Sequence, residues 1–346
     1  MKIEELDRNF AARAVEYTGM KAYPVPGEPF ALYGVRWAED DGFLRMPAQV
    51  ARQVSDGVAC LNTHTSGGRV RFRTDSRRVV LRCVLPSKDV MPHMPFTGSG
   101  CFDLYADGEY ANVFRLEPDG HDGYEATVSL GERKMRDIVI NFPLYNPVSA
   151  LWLVLEEDAA VLPPTPYTRE KPVVFYGSSI TQGGCASHPG NAYAGMLSRW
   201  LDTDIYNLGF SGNCHGEQVM AEYVACLSMG ALVLDYDHNA PKAEELERQH
   251  EAFFRTVRAA QPELPVLIVS TADRSFGAET ENRRAIIRRT YEHAVAAGDT
   301  HVAFLDGQTI YAPVGLSLCT VDGCHPNDLG FYCMAKAIGR ELEKLL

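Results

Sequence analysis

No stretch of this 346-residue chain is apolar for long enough to cross a bilayer, so no membrane partner is expected. Basic tracts are equally missing. Lys and Arg number 33 against 45 Asp and Glu, giving a formal net charge of −12, and no local cluster offsets it. A nucleic-acid surface is therefore not expected. Arg69, Arg71 and Arg73 alternate with Val70 and Phe72, the pattern of a wet strand face. The nine cysteines include no CxxC pair, and an odd count without such pairs suits buried free thiols in a reducing compartment. Cys319 and Cys324 bracket Asp322 beside His325, but the spacing fits no common zinc pattern and Pro326 follows at once. Neither a metal nor a cofactor is expected. The start, Met1 to Asp7, is acidic and lacks the apolar core of a secretion signal, so cytoplasmic residence is expected. No internal repeat or low-complexity tract is visible.

What is present falls into halves of different texture. Residues 1–29 read as an irregular arm. From 30 to 162 short alternating runs, such as Val79, Leu81, Cys83 and Leu85, are separated by turn signals at Gly67-Gly68, Asp107-Gly108 and Asp122-Gly123. Many short strands without helical periodicity predict a β-sandwich of jelly-roll type. Pro163-Pro164-Thr165-Pro166 can continue neither strand nor helix, which places the domain boundary there. From 163 to 346, apolar runs at 173–176, 204–208, 231–235, 266–270 and 302–305 alternate with helical patterns near 191–201, 216–228, 243–260, 280–298 and 327–346. Such alternation predicts a five-stranded parallel sheet covered by helices on both faces, an α/β/α fold.

The most informative run is Gly177-Ser178-Ser179-Ile180-Thr181, directly after Val173-Val174-Phe175-Tyr176. A buried parallel strand ending in Gly-Ser-Ser presents a serine at the carboxyl edge of the sheet, where ligands of open α/β sheets bind. Near the C-terminus, Asp322-Gly323-Cys324-His325-Pro326 precedes the last helix. A serine hydroxyl needs an imidazole to take its proton, and the imidazole needs a carboxylate to fix its tautomer. The three-residue spacing lets one turn present Asp322 and His325 on the same side. Ser178 is the rival for the nucleophile.

Together with Asn207-Leu208-Gly209-Phe210-Ser211-Gly212-Asn213 and Asp237-His238-Asn239, these runs resemble the four ordered blocks of the SGNH (GDSL-like) hydrolases. The resemblance covers the whole C-terminal half. It implies Ser179 as nucleophile, His325 as general base and Asp322 as its carboxylate. It also implies an oxyanion hole built from the amides of Ser179 and Gly212 and the side chain of Asn239. The match is not complete: Ser178 stands where the family usually has Asp, and Ala240 where it usually has Asp after Asn239. Asp237 and His238 read either as lining the pocket or as a solvated loop, and Asn213, Cys214, His215 and Glu217 as residues capping the next helix. Cys185 reads as a small buried thiol. Gly100 to Tyr105 and Phe142 to Asn146 are similar to hallmark runs of a β-sandwich that precedes some SGNH esterases.

That second resemblance implies a carbohydrate esterase that removes acetyl groups from a sugar, its partner being a small-molecule or oligosaccharide ester. Tyr33, Trp37 and Tyr145 are candidates for stacking on the sugar and equally for the core. A lipase, thioesterase or acyltransferase on the same fold is the alternative, and a carbohydrate-binding protein with a decayed hydrolase half is the third reading. The sequence leaves the oligomeric state open, and a homo-oligomer is compatible with it.

Overall fold

The computed structural model describes residues 17–115, 123–272 and 277–346. The first half contains two antiparallel sheets. One runs in the order β1 (Met20–Val25), β11 (Ala150–Glu156), β6 (Arg78–Val84), β9 (Gly123–Ser129). The other runs β12 (Val161–Leu162), β5 (Arg69–Thr74), β10 (Arg136–Asn141), β7 (Phe102–Ala106), β8 (Glu109–Phe114), with β2 (Ala31–Tyr33) also on β5. A small hairpin, β3 (Arg36–Ala38) with β4 (Gly42–Leu44), stands apart. Val70, Ile140 and Leu104 are cross-strand partners in one sheet, and they share a core with Leu81, Leu151 and Leu153 of the other. Alternating apolar residues thus close a sandwich.

Three expectations for this half need correction. Residues 20–25 are not part of an arm: they pair antiparallel with β11 along its whole length. The arm's residues 1–16, like Asp122 of one turn signal, lie outside the described residues. The half also holds helices Ala48–Val54 and Asp56–Leu61. Only Ala51 and Val58 of them are buried, too few for a helical period to show, and they pack with Met46 into the core of the other half. Finally, the arginine face of β5 is not wet. Arg69 and Arg71 are buried. Arg69 pairs with Asp204, Arg71 lies 3.8 Å over the Tyr167 ring and donates to the Thr165 carbonyl, and Arg73 donates to the Pro163 carbonyl. The arginine face is covered by the segment joining the halves and by Asp204 of the hydrolase half.

The second half is a parallel sheet in the order β14 (Thr203–Gly209), β13 (Arg169–Gly177), β15 (Ala231–Asp235), β16 (Val266–Val269), β17 (Val302–Leu305). The last five residues of β13 and all of β15 are buried, as strands covered on both faces must be. Helix Ala243–Ala260 buries Leu246, His250, Phe253, Phe254 and Val257 along one stripe, with Glu244 and Glu245 in its first turn and Arg258 in its last. Helix Asp328–Leu345 starts at Asn327, whose side chain accepts from the Gly330 amide. The register decides where the chemistry sits. Gly177 is opposite Gly209 on one side and Asp235 on the other, so the segments after β13, β14 and β15 leave the sheet at one level.

Candidate active site

Ser179 opens the short helix Ser179–Gln182 directly after β13. Ser178 is the N-cap: its Oγ accepts from the Ile180 amide at 3.1 Å. That bond gives Ser178 a capping part in the turn. Ser179 Oγ lies 3.0 Å from His325 Nε2, and His325 Nδ1 lies 2.7 Å from Asp322 Oδ2. The other carboxylate oxygen accepts from the amides of Cys324 (2.9 Å) and His325 (2.7 Å). Burial works to raise the Asp322 carboxyl, but the imidazole and the two amides outweigh it and hold the group at about 2. The carboxylate is thus ionised wherever the imidazole would need it.

The turn carrying this pair is itself anchored. The Val321 amide donates to the His325 carbonyl, and the Cys185 amide donates to the Pro326 carbonyl at 2.9 Å, tying the turn to the serine loop. Three residues beyond His325, Asp328 accepts from the Ser187 amide (2.8 Å) and from Asn191 (3.0 Å). That arrangement can pass a proton from serine to imidazole while the ring keeps its place.

Gly212 has φ +67°, a conformation that favours glycine, and a Cβ there would meet nothing within 4 Å. The backbone shape demands the glycine, not crowding. Asn239 is half-buried; its amide nitrogen on the backbone donates to the Tyr236 carbonyl at 3.2 Å, and its buried Oδ1 has no partner among the described residues. Its neighbours do not form a solvated loop. Asp237 accepts from the Thr271 amide at 2.9 Å and faces His238 Nδ1 at 3.1 Å, and the Thr271 hydroxyl also bonds to it. This clamps the segment after β15 to the end of β16.

Capping by the residues after Gly212 is not what the structure has either. Helix Gln218–Ala225 has Glu217 at its N-cap with no side-chain cap bond, and Cys214 is core. Cys185 is buried, and burial with the Asp322 charge nearby pushes its thiol up to about 12. Such a thiol is inert at neutral pH.

Several functional contacts had no signal in the sequence. Gln182 Oε1 accepts from the Ser211 amide (3.0 Å) and its Nε2 donates to the Leu144 carbonyl (3.1 Å), joining the serine loop, the loop after β14 and the sandwich. Tyr145 does not face solvent for stacking; it is buried and its hydroxyl donates to the Ser179 carbonyl at 3.0 Å. Tyr33 packs edge-on against Tyr167, and the exposed Trp37 bonds to the Ser149 carbonyl. Arg45 is a buried guanidinium that reaches from the sandwich to the carbonyls of Asn207 and Gly209 and lies 4.4 Å over Phe210. Burial pulls it down to about 9. A lone charge between Leu44 and Met46 was its only mark in the sequence. A cavity of about 470 Å³ lies elsewhere, lined by helix residues such as Phe254 and Ala294, and contains none of these groups.

Residues 170–343, half of the chain, match the model of the GDSL-like lipase/acylhydrolase family. The chain belongs to that family. A second model, describing the N-terminus of SGNH-hydrolase-type esterases, matches residues 24–161. Among solved structures, a GDSL-like lipase from Bacteroides ovatus is 26% identical with a TM-score of 0.82, covering 94% of this chain and 98% of that one. The salicylyl-acyltransferase SsfX3 of a tetracycline biosynthetic pathway is 21% identical with a TM-score of 0.79 over the same shares. A family two carbohydrate esterase from Clostridium thermocellum, solved with cellohexaose, is 14% identical with a TM-score of 0.63, covering 91% of this chain and 98% of that one. No curated protein matches. This GDSL-like acylhydrolase is therefore a carboxylic ester hydrolase with a sandwich ahead of its α/β/α domain. Among its described residues no helix is long and apolar enough to cross a membrane.

Proposed function

We propose that this GDSL-like acylhydrolase is a serine esterase that removes acetyl groups from a carbohydrate through an acyl-enzyme. The observation that carries the serine mechanism is the unbroken chain Ser179 Oγ, His325 Nε2, His325 Nδ1, Asp322 Oδ2, with steps of 3.0 and 2.7 Å. In this reading His325 takes the proton as Ser179 attacks the ester carbonyl, and the Asp322 carboxylate stabilises the imidazolium. The developing oxyanion is met by the Ser179 amide, which as the first helical residue has no intrahelical acceptor, and by Gly212 and Asn239. His325 then protonates the departing sugar oxygen, which leaves as a free hydroxyl, and a water activated by the same ring releases acetate. No residue in this sequence of steps needs a metal.

The carbohydrate substrate is supported by neighbours of the same two-domain build, the Clostridium thermocellum esterase and an acetyl xylan esterase from Butyrivibrio proteoclasticus. Acyl transfer is the second reading, favoured by the higher structural similarity of SsfX3. Nine cysteines outside any disulfide suit the proposed cytoplasmic setting. The test is mass-spectrometric deacetylation of a panel of acetylated oligosaccharides beside aryl esters of increasing chain length. Loss of acetate from a sugar with a steep preference for acetyl supports the proposal; preference for long chains, or transfer to an added alcohol over water, sinks it. A phosphonate probe should add once, on Ser179. Ser179→Ala and His325→Ala should each lose several orders of magnitude in kcat, and Asp322→Ala less, since it orients and moves no proton.

A further inference from the structure

One side chain of the sandwich reaches the candidate triad without any part in the reaction just described. His93 lies on the loop between β6 and helix Phe96–Ser99. That loop is fastened on both sides of His93. The Asp89 amide donates to Asn146 Oδ1 at 2.7 Å, and the Met94 side chain is buried in the hydrolase core. The Thr97 hydroxyl donates to the Ser187 carbonyl at 2.6 Å. Held this way, His93 is exposed, with its ring centroid 5.5 Å from that of His325 and the planes 54° apart. One donor atom from each of His93, Asp322 and His325 falls within 4.8 Å of the others.

Two imidazoles and a carboxylate are a donor set for zinc and its transition-metal neighbours, not for magnesium or calcium, which prefer oxygen ligands. Metal–ligand bonds of about 2.0–2.1 Å need donor atoms roughly 3.3 Å apart, so the group needs to tighten by at most about 1.5 Å. The exposed His93 side chain can supply that movement, and the open face leaves a fourth position for water. In the sequence, Cys319 and Cys324 beside His325 fit no common zinc pattern. Cys319 is buried in the hydrolase core, and His93, from more than 200 residues earlier in the chain, stands beside the ring.

We propose that His93, Asp322 and His325 form an inhibitory site for a divalent transition metal of the zinc type, completed only because the sandwich is docked. Both ring nitrogens of His325 are engaged, one by Ser179 and one by Asp322. An ion that takes a lone pair from either nitrogen displaces one of those bonds. Occupation and the proton transfer from Ser179 therefore exclude each other. The inhibitory consequence rests on the serine mechanism proposed above; the binding site itself does not.

The test separates the two. Ser179→Ala protein, which keeps all three donors, is titrated with zinc chloride by calorimetry, and so is the Ser179→Ala, His93→Ala double variant. Loss of a direct ligand should weaken binding at least as much as loss of an outer partner does, about tenfold or more. In the active enzyme, zinc should inhibit aryl acetate hydrolysis and EDTA should restore it, while magnesium should not inhibit. His93→Ala should raise the zinc inhibition constant by about the same factor while its metal-free rate stays near that of the parent. Serine at the exposed Cys60 and Cys226 should leave zinc inhibition unchanged, which removes surface thiols as the cause. Equal zinc affinity with and without His93 overturns the proposal, as does equal potency of magnesium. If the protein shows no esterase activity, the calorimetric comparison still decides the site.

Discussion

Asn239 is the residue whose proposed role is most exposed to test. Leaving a buried acceptor unpaired costs roughly 1–3 kcal/mol, and its Oδ1 carries that cost among the described residues. An acceptor oxygen cannot itself face a developing oxyanion; the proposed role falls to the Nδ2 donors at the other end of the same amide. Asn239→Ala should then lower kcat by about 10²–10³ with a much smaller effect on stability. Steady-state rates on an aryl acetate, beside thermal melts, check both halves. A tenfold or smaller loss would move the oxyanion role to another group. The sequence reached Asn239, Gly212 and the Ser179–His325–Asp322 set through short ordered blocks, because each block closes a local turn. It did not reach Arg45, Gln182 or His93, nor the bond from Tyr145 to the Ser179 carbonyl, since these partners lie far away in the chain. Gln182 and Leu144 are 38 residues apart, and Arg45 and Gly209 are 164 apart.

At the scale of single elements, the end of β15 carries a group that ties stability to pH. Asp235 is buried, and its Oδ2 accepts from the hydroxyls of Thr181 (3.2 Å) and Tyr193 (3.1 Å). Burial pushes its carboxyl from 3.8 up to about 6; His238 and the two hydroxyls oppose the rise and Asp237 adds to it. Folding thus favours the protonated form. The stability this group contributes is full below about pH 4 and is lost as pH rises through 6, a swing of roughly 3 kcal/mol by the size of the shift. Asp235→Asn stays neutral and keeps an oxygen for both hydroxyls. It should melt above the parent at pH 8, and the gap should close as pH falls from 7 to 4. A gap independent of pH would mean that the carboxyl is not the cause. The strands and main helices of this half were legible to within a few residues, because short apolar runs buried on both faces alternate regularly with helical stretches. Helices Ala48–Val54 and Asp56–Leu61 were not, being short and buried by residues of the other half.

For the whole molecule, the question is whether the hydrolase half exists without the sandwich. A short proline-rich junction argues for docking, and the contacts carry the argument further. Asp103, fully buried in the sandwich, accepts from Asn141 of its own half, and from the Gly190 amide (2.6 Å) and beside His188 Nδ1 (2.6 Å) of the other. The 187–191 segment so held is the one bonded to Asp328, just past His325. At Gly98 a Cβ would come within 2.1 Å of the Ala186 carbonyl oxygen, so backbone meets backbone across the junction. Met46, Ala51 and Val58 complete one hydrophobic core of the hydrolase half, and Met94, Leu144 and Tyr145 the other. Removing these side chains opens both cores at once, and a single large core deletion already costs about 2–5 kcal/mol. Total stability of a domain is only about 5–15 kcal/mol. A protein starting at Thr165 should therefore be insoluble, or soluble with strong binding of a hydrophobic dye and no esterase activity. Residues 1–164 and 165–346 produced together should reassemble and recover rate on an aryl acetate, because Arg71, Arg73 and Asp137 still grip the cut ends through Thr165 and Pro163. A soluble 165–346 fragment that is active alone would show the sandwich to be dispensable for the fold. Activity that returns only when both fragments are present would make it part of the enzyme.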